Sequence, residues 1–307
     1  MQPYSICSVA RRVTVFLAFV CLATVAVAQP DFDSATVTSA EVAPGIYMLT
    51  GVGGNLGLSV GDDGAFLVDD QYAPMTDKIL AAIAELTDQP VRFVVNTHWH
   101  GDHSGGNENF GGAGALIVAH DKVRERMSTE QVMELFGRTV PPSPAAALPV
   151  ITYDDAVTFH VNGQTLHAFH VPPAHTDGDS IVHFREANVV HMGDLFFNGM
   201  FPFVDTGSGG SVLGLIDAIE TVLSMVDDDT QIIPGHGPLA SKSDLAGYHA
   251  MLLQVRAAVE PLVRAGKSRD EVVAAAPLDP LDAEWGRGFM KRDVFTGIVY
   301  DSLSSSM

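Results

Sequence analysis

Along the chain, apolar residues come in short runs broken by Gly, Pro, Asn and Asp. Runs too short for helices predict strands at Ile46–Thr50, Leu56–Val60 and Ala65–Val68. Ile79, Leu80, Ile83 and Leu86 fall at helical spacing and predict a helix from about Met75 to Leu86, with a further strand over Val91–Val95. A polar, Gly-rich loop then covers His98–Gly114. Ile117–Ala119 reads as a strand, and Asp121 as the cap of a helix running to about Phe136. Four prolines between Pro141 and Pro149 mark a linker or surface loop.

The second half repeats the theme. Val157–Val161 and Thr165–Val171 flank Asn162-Gly163, a two-residue hairpin signal. Strands fit Ile181–Phe184, Val189–Met192 and Gln231–Ile233, and helices fit Val212–Val226 and Leu245–Val263. Strands followed by helices in both halves, joined by short turns, would be buried well by mixed or antiparallel sheets with helices outside.

Composition narrows the function classes. The chain has 307 residues, 47% of them apolar and 18% charged, enough for a sizeable core. Its 17 Lys and Arg face 37 Asp and Glu, a formal net charge of -20. That balance argues against nucleic acid, which needs a basic face, while a local positive centre such as a metal could still bind an anion. Arg11 and Arg12 precede an apolar run from Val13 to Ala28 that ends in Ala26-Val27-Ala28. This pattern predicts a signal peptide over residues 1–28, a functional domain over 29–307, and a periplasmic or secreted destination with no membrane association after cleavage. Cys7 and Cys21 both fall in the leader, so the mature chain is expected to lack disulfides, Cys nucleophiles and Cys metal ligands. Nothing in the sequence assigns an oligomeric state.

One segment carries the chemistry: Asn96-Thr97-His98-Trp99-His100-Gly101-Asp102-His103, directly after an apolar strand. Imidazole nitrogen and carboxylate oxygen suit zinc and other borderline divalent ions, and a turn can aim alternate side chains into one cavity. His98 and His100 could serve one metal while Asp102 and His103 aim at a second. His175, Asp194 and His236 each sit just past a predicted strand in Gly- or Pro-containing turns. Ligands at strand ends can converge on one edge of a sandwich.

With these residues in this order, the chain resembles the metallo-β-lactamase superfamily over nearly the whole mature length. Asp69 in Leu67-Val68-Asp69-Asp70 matches the first motif, and His98 to His103 matches the His-x-His-x-Asp-His second. His175, Asp194 and His236 match the third, fourth and fifth. The resemblance implies an αββα sandwich of two mixed β-sheets, an α+β fold with helices on the outer faces. It implies a site for two Zn2+, with iron or manganese as alternatives at one position. It assigns His98, His100 and His175 to one metal, Asp102, His103 and His236 to the other, and Asp194 to the bridge between them. Asp69, with Asp70 as the competing choice, would order the ligand loop. Paired divalent ions lower the pKa of a shared water, so a metal-bridging hydroxide is the expected nucleophile, oriented by Asp102 and Asp194.

The motifs do not name a substrate. The fourth position is Asp194 rather than the Cys of the best-known lactamase subclass, and three residues on stands Phe197 where many of those enzymes have Lys. The expectation is therefore a hydrolase of a small ester, thioester or lactam with at most weak β-lactamase activity. The alternatives are a true β-lactamase or a non-catalytic metal-binding protein of the same fold. Arg287 is a candidate for supplying a substrate cation from elsewhere. Gly51 to Asn55 reads as a mobile flap, and the aromatic run Phe196–Phe203 as either pocket lining or core. Asn55, Phe197 and Phe201 are the candidate pocket residues.

Overall fold

The computed structural model describes residues 31–306; the expected leader, residues 1–28, lies outside them. The first sheet begins with β1 (Thr38–Ala43), β2 (Ile46–Thr50), β3 (Leu56–Ser59) and β4 (Ala65–Val68) in antiparallel succession. It continues in parallel through β5 (Val91–Asn96) and β6 (Leu116–His120). A separate hairpin, β7 (Gln131–Met133) and β8 (Arg138–Val140), intervenes before β9 (Ile151–Tyr153) joins parallel to β6. The second sheet runs in order through β10 (Ala156–Val161), β11 (Gln164–His170), β12 (Ser180–Phe184), β13 (Val189–His191) and β14 (Gln231–Ile233). Its strands are antiparallel except for the last pair.

Why the apolar runs are continuous rather than alternating is visible at β4. Phe66 and Val68 face the second sheet and meet Leu166, Val182 and Phe184, while Ala65 and Leu67 face outward onto Met75, Ile79 and Ile83. A strand covered on both faces reads as an unbroken hydrophobic stretch. Ile79 and Ile83 come from α1 (Thr76–Ala84), which covers the first sheet. Gly101–Ser104 (α2), Asn107–Gly112 (α3) and Asp121–Met127 (α4) follow it. The second sheet is covered by α5 (Val212–Met225) and α6 (Lys242–Arg264), then α7 (Arg269–Ala274), α8 (Asp279–Trp285) and α9 (Arg292–Ser305). The result is the expected αββα sandwich.

Three readings change. The helix expected to reach Phe136 stops at Met127. The hydroxyls of Ser128 and Thr129 donate back to the carbonyls of Arg124 and Glu125, a local competitor to helix continuation. The chain then forms the β7–β8 hairpin, turned by Gly137 in the left-handed region (φ 56°). The His98–Gly114 loop contains two short helices, α2 and α3. Phe197 and Phe201 are core residues: both are fully buried, and Phe201 stacks on Phe295 of α9 at 5.0 Å.

The strand directions set the site. β4, β5 and β6 are mutually parallel, so their C-terminal ends share one edge. In the other sheet β11 is antiparallel to β12, and β12 to β13, so β11, β13 and β14 also end together. Every candidate ligand follows one of these ends.

Replacing Phe201 by Ala tests its placement. A buried Phe→Ala change costs about 3–5 kcal/mol, so Phe201→Ala should lower the urea midpoint by that equivalent. Unchanged stability with a raised KM would return Phe201 to the pocket.

Candidate metal centre

The turn after β4 is held in an uncommon backbone conformation: Asp69 and Gln71 both have positive φ, 60° and 56°. Fully buried Asp69 accepts hydrogen bonds from the Thr97 amide (2.7 Å), from Thr97 Oγ1 (2.8 Å) and from His103 Nδ1 (2.7 Å). Asp70 instead accepts from the Gly106 amide at 2.9 Å, and burial pushes its carboxyl well above the usual range. Of the two candidates, Asp69 is the one that touches the His98–His103 segment's side chains.

These contacts fix where protons sit. Thr97 gives its hydroxyl hydrogen to Asp69, so Thr97 Oγ1 accepts from His98 Nδ1 at 3.0 Å. That leaves a lone pair on His98 Nε2, which is buried without a hydrogen-bond partner. His175 Nδ1 donates to the Phe203 carbonyl at 2.8 Å, freeing Nε2, and His100 Nε2 donates to Asp205 at 3.0 Å, freeing Nδ1. His103 likewise commits Nδ1 to Asp69 and presents Nε2. A fixed distal hydrogen bond is what orients an imidazole as a ligand.

The free atoms converge in two groups. His98, His100, His175 and Asp194 form one; Asp102, His103 and His236 form the other, the donor atoms within each lying within 4.8 Å of one another. His100 Nδ1 and His175 Nε2 face each other at 2.9 Å, and His103 Nε2 faces His236 Nε2 at 3.4 Å. Lone pairs brought together this closely repel unless a cation or a shared proton lies between them, so the donor set fits a bound divalent metal. Asp194 straddles the groups. Its Oδ2 lies 3.8 Å from His98 Nε2 and 3.5 Å from His175 Nε2, while Oδ1 lies 3.0 Å from His103 Nε2 and 3.4 Å from His236 Nε2. Asp102 Oδ2 lies 3.4 Å from His236 Nε2.

The two groups differ electrostatically. Burial holds the His98 imidazole well below its ordinary pKa and His175 at about 4. Burial opposes charge on His103 and His236 too, yet Asp194, together with Asp69 or Asp102, outweighs it. His103 is raised well above the ordinary value and His236 to about 9. For Asp102 and Asp194 burial disfavours the charge, but the neighbouring His103 and His236 hold both below the usual carboxylate range.

The structure thus brings together all seven candidate ligands and Asp69, but not the three candidate pocket residues. Phe197 stacks on His236 at 5.1 Å from the core side. Asn55 is buried and donates to the carbonyls of Pro234 and Gly237, both at 2.9 Å, stapling the turn that carries His236. The Gly51–Asn55 segment is no free flap. Gly54 N bonds Asp102 O at 3.0 Å, Asn55 N bonds Gly235 O at 2.7 Å, and Gln71 Nε2 bonds Gly54 O at 2.6 Å.

Asp205 and Thr97 were absent from the candidates. Asp205 lies far along the chain from His100, and its only local signal is the cap its side chain gives to the Thr206–Ser208 turn. The cleft over the centre measures about 820 Å³, and its walls include Tyr72, Trp99, Phe136, Phe203 and Phe289. Arg126 and Arg138 also line it, so cations reach the cleft from a different part of the chain than position 197 or Arg287. Arg126 comes from the expected helix, and Arg138 from just beyond its expected end. Arg287 is not among the lining residues and donates to the Ala283 carbonyl.

A sandwich of this build, with a paired donor cluster at one edge, defines a metallohydrolase-like architecture, and comparison specifies the family. A profile of the metallo-beta-lactamase superfamily matches residues 49–236, and the chain belongs to that superfamily. A beta-lactamase-like protein 2 homolog from Caenorhabditis elegans is 27% identical over 183 residues, 57% of this chain and 53% of that protein. The chain therefore matches about half the length of this relative. A metallo-beta-lactamase from Pontibacter korlensis superposes with a TM-score of 0.59 at 20% identity, covering 71% of this chain and 99% of that one. A stereoselective inverting sec-alkylsulfatase from Pseudomonas sp. gives a TM-score of 0.65 at 18% identity, over 86% of this chain and 50% of that one. At these identities the structural matches establish the fold alone.

Removing the Asp69 carboxylate is the cleanest test of the hydrogen-bond relay. Loss of such an outer partner typically weakens metal binding about 10–100-fold. Asp69→Ala should show that loss in a zinc competition titration, with Asp70→Asn changing zinc affinity far less. The reverse order would show that the relay has been assigned to the wrong carboxylate.

Proposed function

We propose that this chain is an exported dinuclear zinc hydrolase acting on a small ester, thioester or lactam. The observation that carries the reading is Asp194, whose two carboxylate oxygens divide between two groups of imidazoles, with the other ring nitrogen of His98, His100, His103 and His175 already committed. His98, His100 and His175 would hold one ion, and Asp102, His103 and His236 the other, with Asp194 shared. Divalent ions held there supply Lewis acidity and make hydroxide available at neutral pH.

The protein's own groups do the rest. Asp102, ionised and partly open to the cleft, would hold its ion and orient the attacking hydroxide by accepting a hydrogen bond from it. Asp69 and Asp205 keep His103 and His100 in the tautomers that present a free nitrogen. Trp99 and Phe203 close the floor of the cleft against bulk water. Lactams stay in the substrate class beside esters, because Arg138 lines the cleft without an ion pair among the described residues, while the Phe197 position argues for at most weak β-lactamase activity. The export reading rests on the Arg11-Arg12 and Ala26-Val27-Ala28 pattern, and the expected partner is a small-molecule substrate rather than nucleic acid or membrane. No helix among the described residues is long and apolar enough to cross a membrane.

Protein purified without chelator should carry close to two zinc ions per chain and hydrolyse members of an ester, thioester, lactone and cephalosporin panel. Chelation should abolish the activity. Asp102→Ala should cost at least about 100-fold in kcat, by analogy with loss of general-base catalysis, whereas His249→Ala on α6 should cost little. A chain that binds no transition metal and is not activated by zinc would rule the reading out.

The pKa directions add a second test. A ligand imidazole must be unprotonated. His175, at about 4, and His98, held well below its ordinary value by burial, meet that condition at neutral pH, whereas His236, at about 9 without metal, and His103 must release protons. Zinc affinity at the Asp102/His103/His236 group should therefore rise steeply between pH 5.5 and 8, and that of the other group only weakly. Calorimetric zinc titrations at the two pH values would read this directly; two equal pH slopes would contradict it.

A further inference from the structure

The cleft's outer wall is the β7–β8 hairpin, a piece of chain that contributes no candidate ligand. It is nevertheless anchored next to the centre. Phe136, at its turn, meets Phe203 edge-on at 5.1 Å, and the Phe203 ring lies 5.7 Å from both His100 and His175. The hairpin therefore stands over the donor groups through one aromatic contact.

Two arginines from this region line the cleft, and they differ in their commitments. Arg126 is neutralised: its Nε and Nη2 pair with the two oxygens of Asp177 at 3.0 and 2.8 Å, and Nη1 donates to Gln131 at 3.0 Å. Arg138, the first residue of β8, is exposed and has no side-chain hydrogen bond or ion pair among the described residues. In a chain with net charge -20, Arg138 sets an unpaired guanidinium against this cleft. The acids that share this cleft are Asp102 and Asp194, which the metals would neutralise, and Glu108 of α3, which makes no ion pair with Arg138.

Tyr72 lines the same cleft. Burial raises its phenol pKa, Asp102 and Asp194 raise it further, and Arg138 lowers it. The phenol stays a neutral donor at any working pH, within the field of both the cation and the centre. Apolar side chains supply much of the remaining wall, including Met133 and Phe136 of the hairpin and the exposed residues Val52 and Phe289, beside the polar Thr129 and Gln131.

We propose that the β7–β8 hairpin sets substrate specificity and that Arg138 binds an anionic group, a carboxylate or a sulfate, carried on an otherwise apolar substrate. The scissile bond then lies over Asp102, Asp194 and His236 while the apolar body rests against Met133, Phe136 and Phe289. A guanidinium is suited to this because its planar fork meets either anion through two parallel hydrogen bonds. The inference rests on the hydrolase reading, since it assigns a substrate class to that site.

The experiment uses the full zinc-loaded chain and separates the two ideas. Matched aryl esters, one neutral, one with a distal carboxylate and one with a distal sulfate, are assayed on wild type, Arg138→Gln and Arg138→Lys. The ratio of kcat/KM for each anionic ester to that of the neutral one should fall about tenfold to a hundredfold in Arg138→Gln. The fall should come through KM and be partly restored in Arg138→Lys. Arg287→Gln, outside the cleft, should leave the ratio unchanged. Whichever anion shows the larger fall identifies the headgroup.

Calorimetric binding of phenylbutyrate and of phenylbutyl sulfate provides a readout that needs no turnover. Weaker binding to Arg138→Gln at unchanged zinc content supports the assignment even if no ester is hydrolysed, an outcome that would count only against the hydrolase reading. Equal binding to wild type and Arg138→Gln, or equal loss on neutral and anionic esters, overturns the proposal.

Discussion

A single buried carboxylate organises this site. Asp69 takes three hydrogen bonds, two from Thr97 and one from His103, at the end of β4. Removing a carboxylate from water costs several kcal/mol even after relaxation, and three donors, one of them a backbone amide, offset that cost only if their geometry is held. The strands hold it: β4 and β5 pair in parallel, and the Asp69 amide itself bonds the Val95 carbonyl at 2.9 Å. The positive φ at Asp69 costs of order 1–3 kcal/mol and persists because these contacts over-determine the turn. Through Thr97 the carboxylate also dictates the tautomer of His98. One acid thereby prepares a nitrogen in each of the two donor groups.

The second constraint is close packing around the donor turns, and glycine provides it. Gly54 lies so near the His103 ring, and Gly235 so near Asp194, that a Cβ at either place would occupy the position of the ligand side chain itself. Backbone can approach a metal-binding side chain this closely only where there is no side chain of its own. The turns that look like flexible Gly-rich loops in the sequence are therefore rigid here, and their rigidity is what keeps seven donor atoms from relaxing apart.

What was legible in the sequence follows from the range of the signal. His98, His100, Asp102 and His103 form a local pattern after an apolar strand, and His175, Asp194 and His236 each follow a recognisable strand end. Parallel and antiparallel pairing then brings those ends to one edge, so the donor groups could be anticipated from order alone. The cleft walls could not. Phe197 and Phe201 look identical in composition to Phe203, yet α9 covers Phe201 and only Phe203 faces the cleft. The Asp205–His100 contact spans a separation with no periodicity to reveal it. The segment after Met127 has helical spacing on paper, but Ser128 and Thr129 cap the helix with their own hydroxyls and Gly137 turns the remainder into a hairpin. Arg138 acquires its position from that one departure.

Charge connects the centre to the stability of the whole fold. Asp69, Asp102, Asp194 and Asp205 are gathered around five imidazoles, two of which, His100 and His175, face each other through ring nitrogens at 2.9 Å. With no metal, His103 and His236 hold protons because the carboxylates demand a compensating charge, while His98 and His175 stay neutral because burial forbids one. The cluster is thus half-compensated by protons, and unevenly so. A divalent ion bound there would replace a mobile, pH-dependent charge with a fixed one and relieve the facing His100 and His175 nitrogens. Because the unfolded chain offers no such arrangement, the free energy of metal binding adds to that of folding. The arrangement that makes the donor groups fit a divalent metal is held in place by the Asp69 hydrogen bonds and by the close Gly54 and Gly235 contacts.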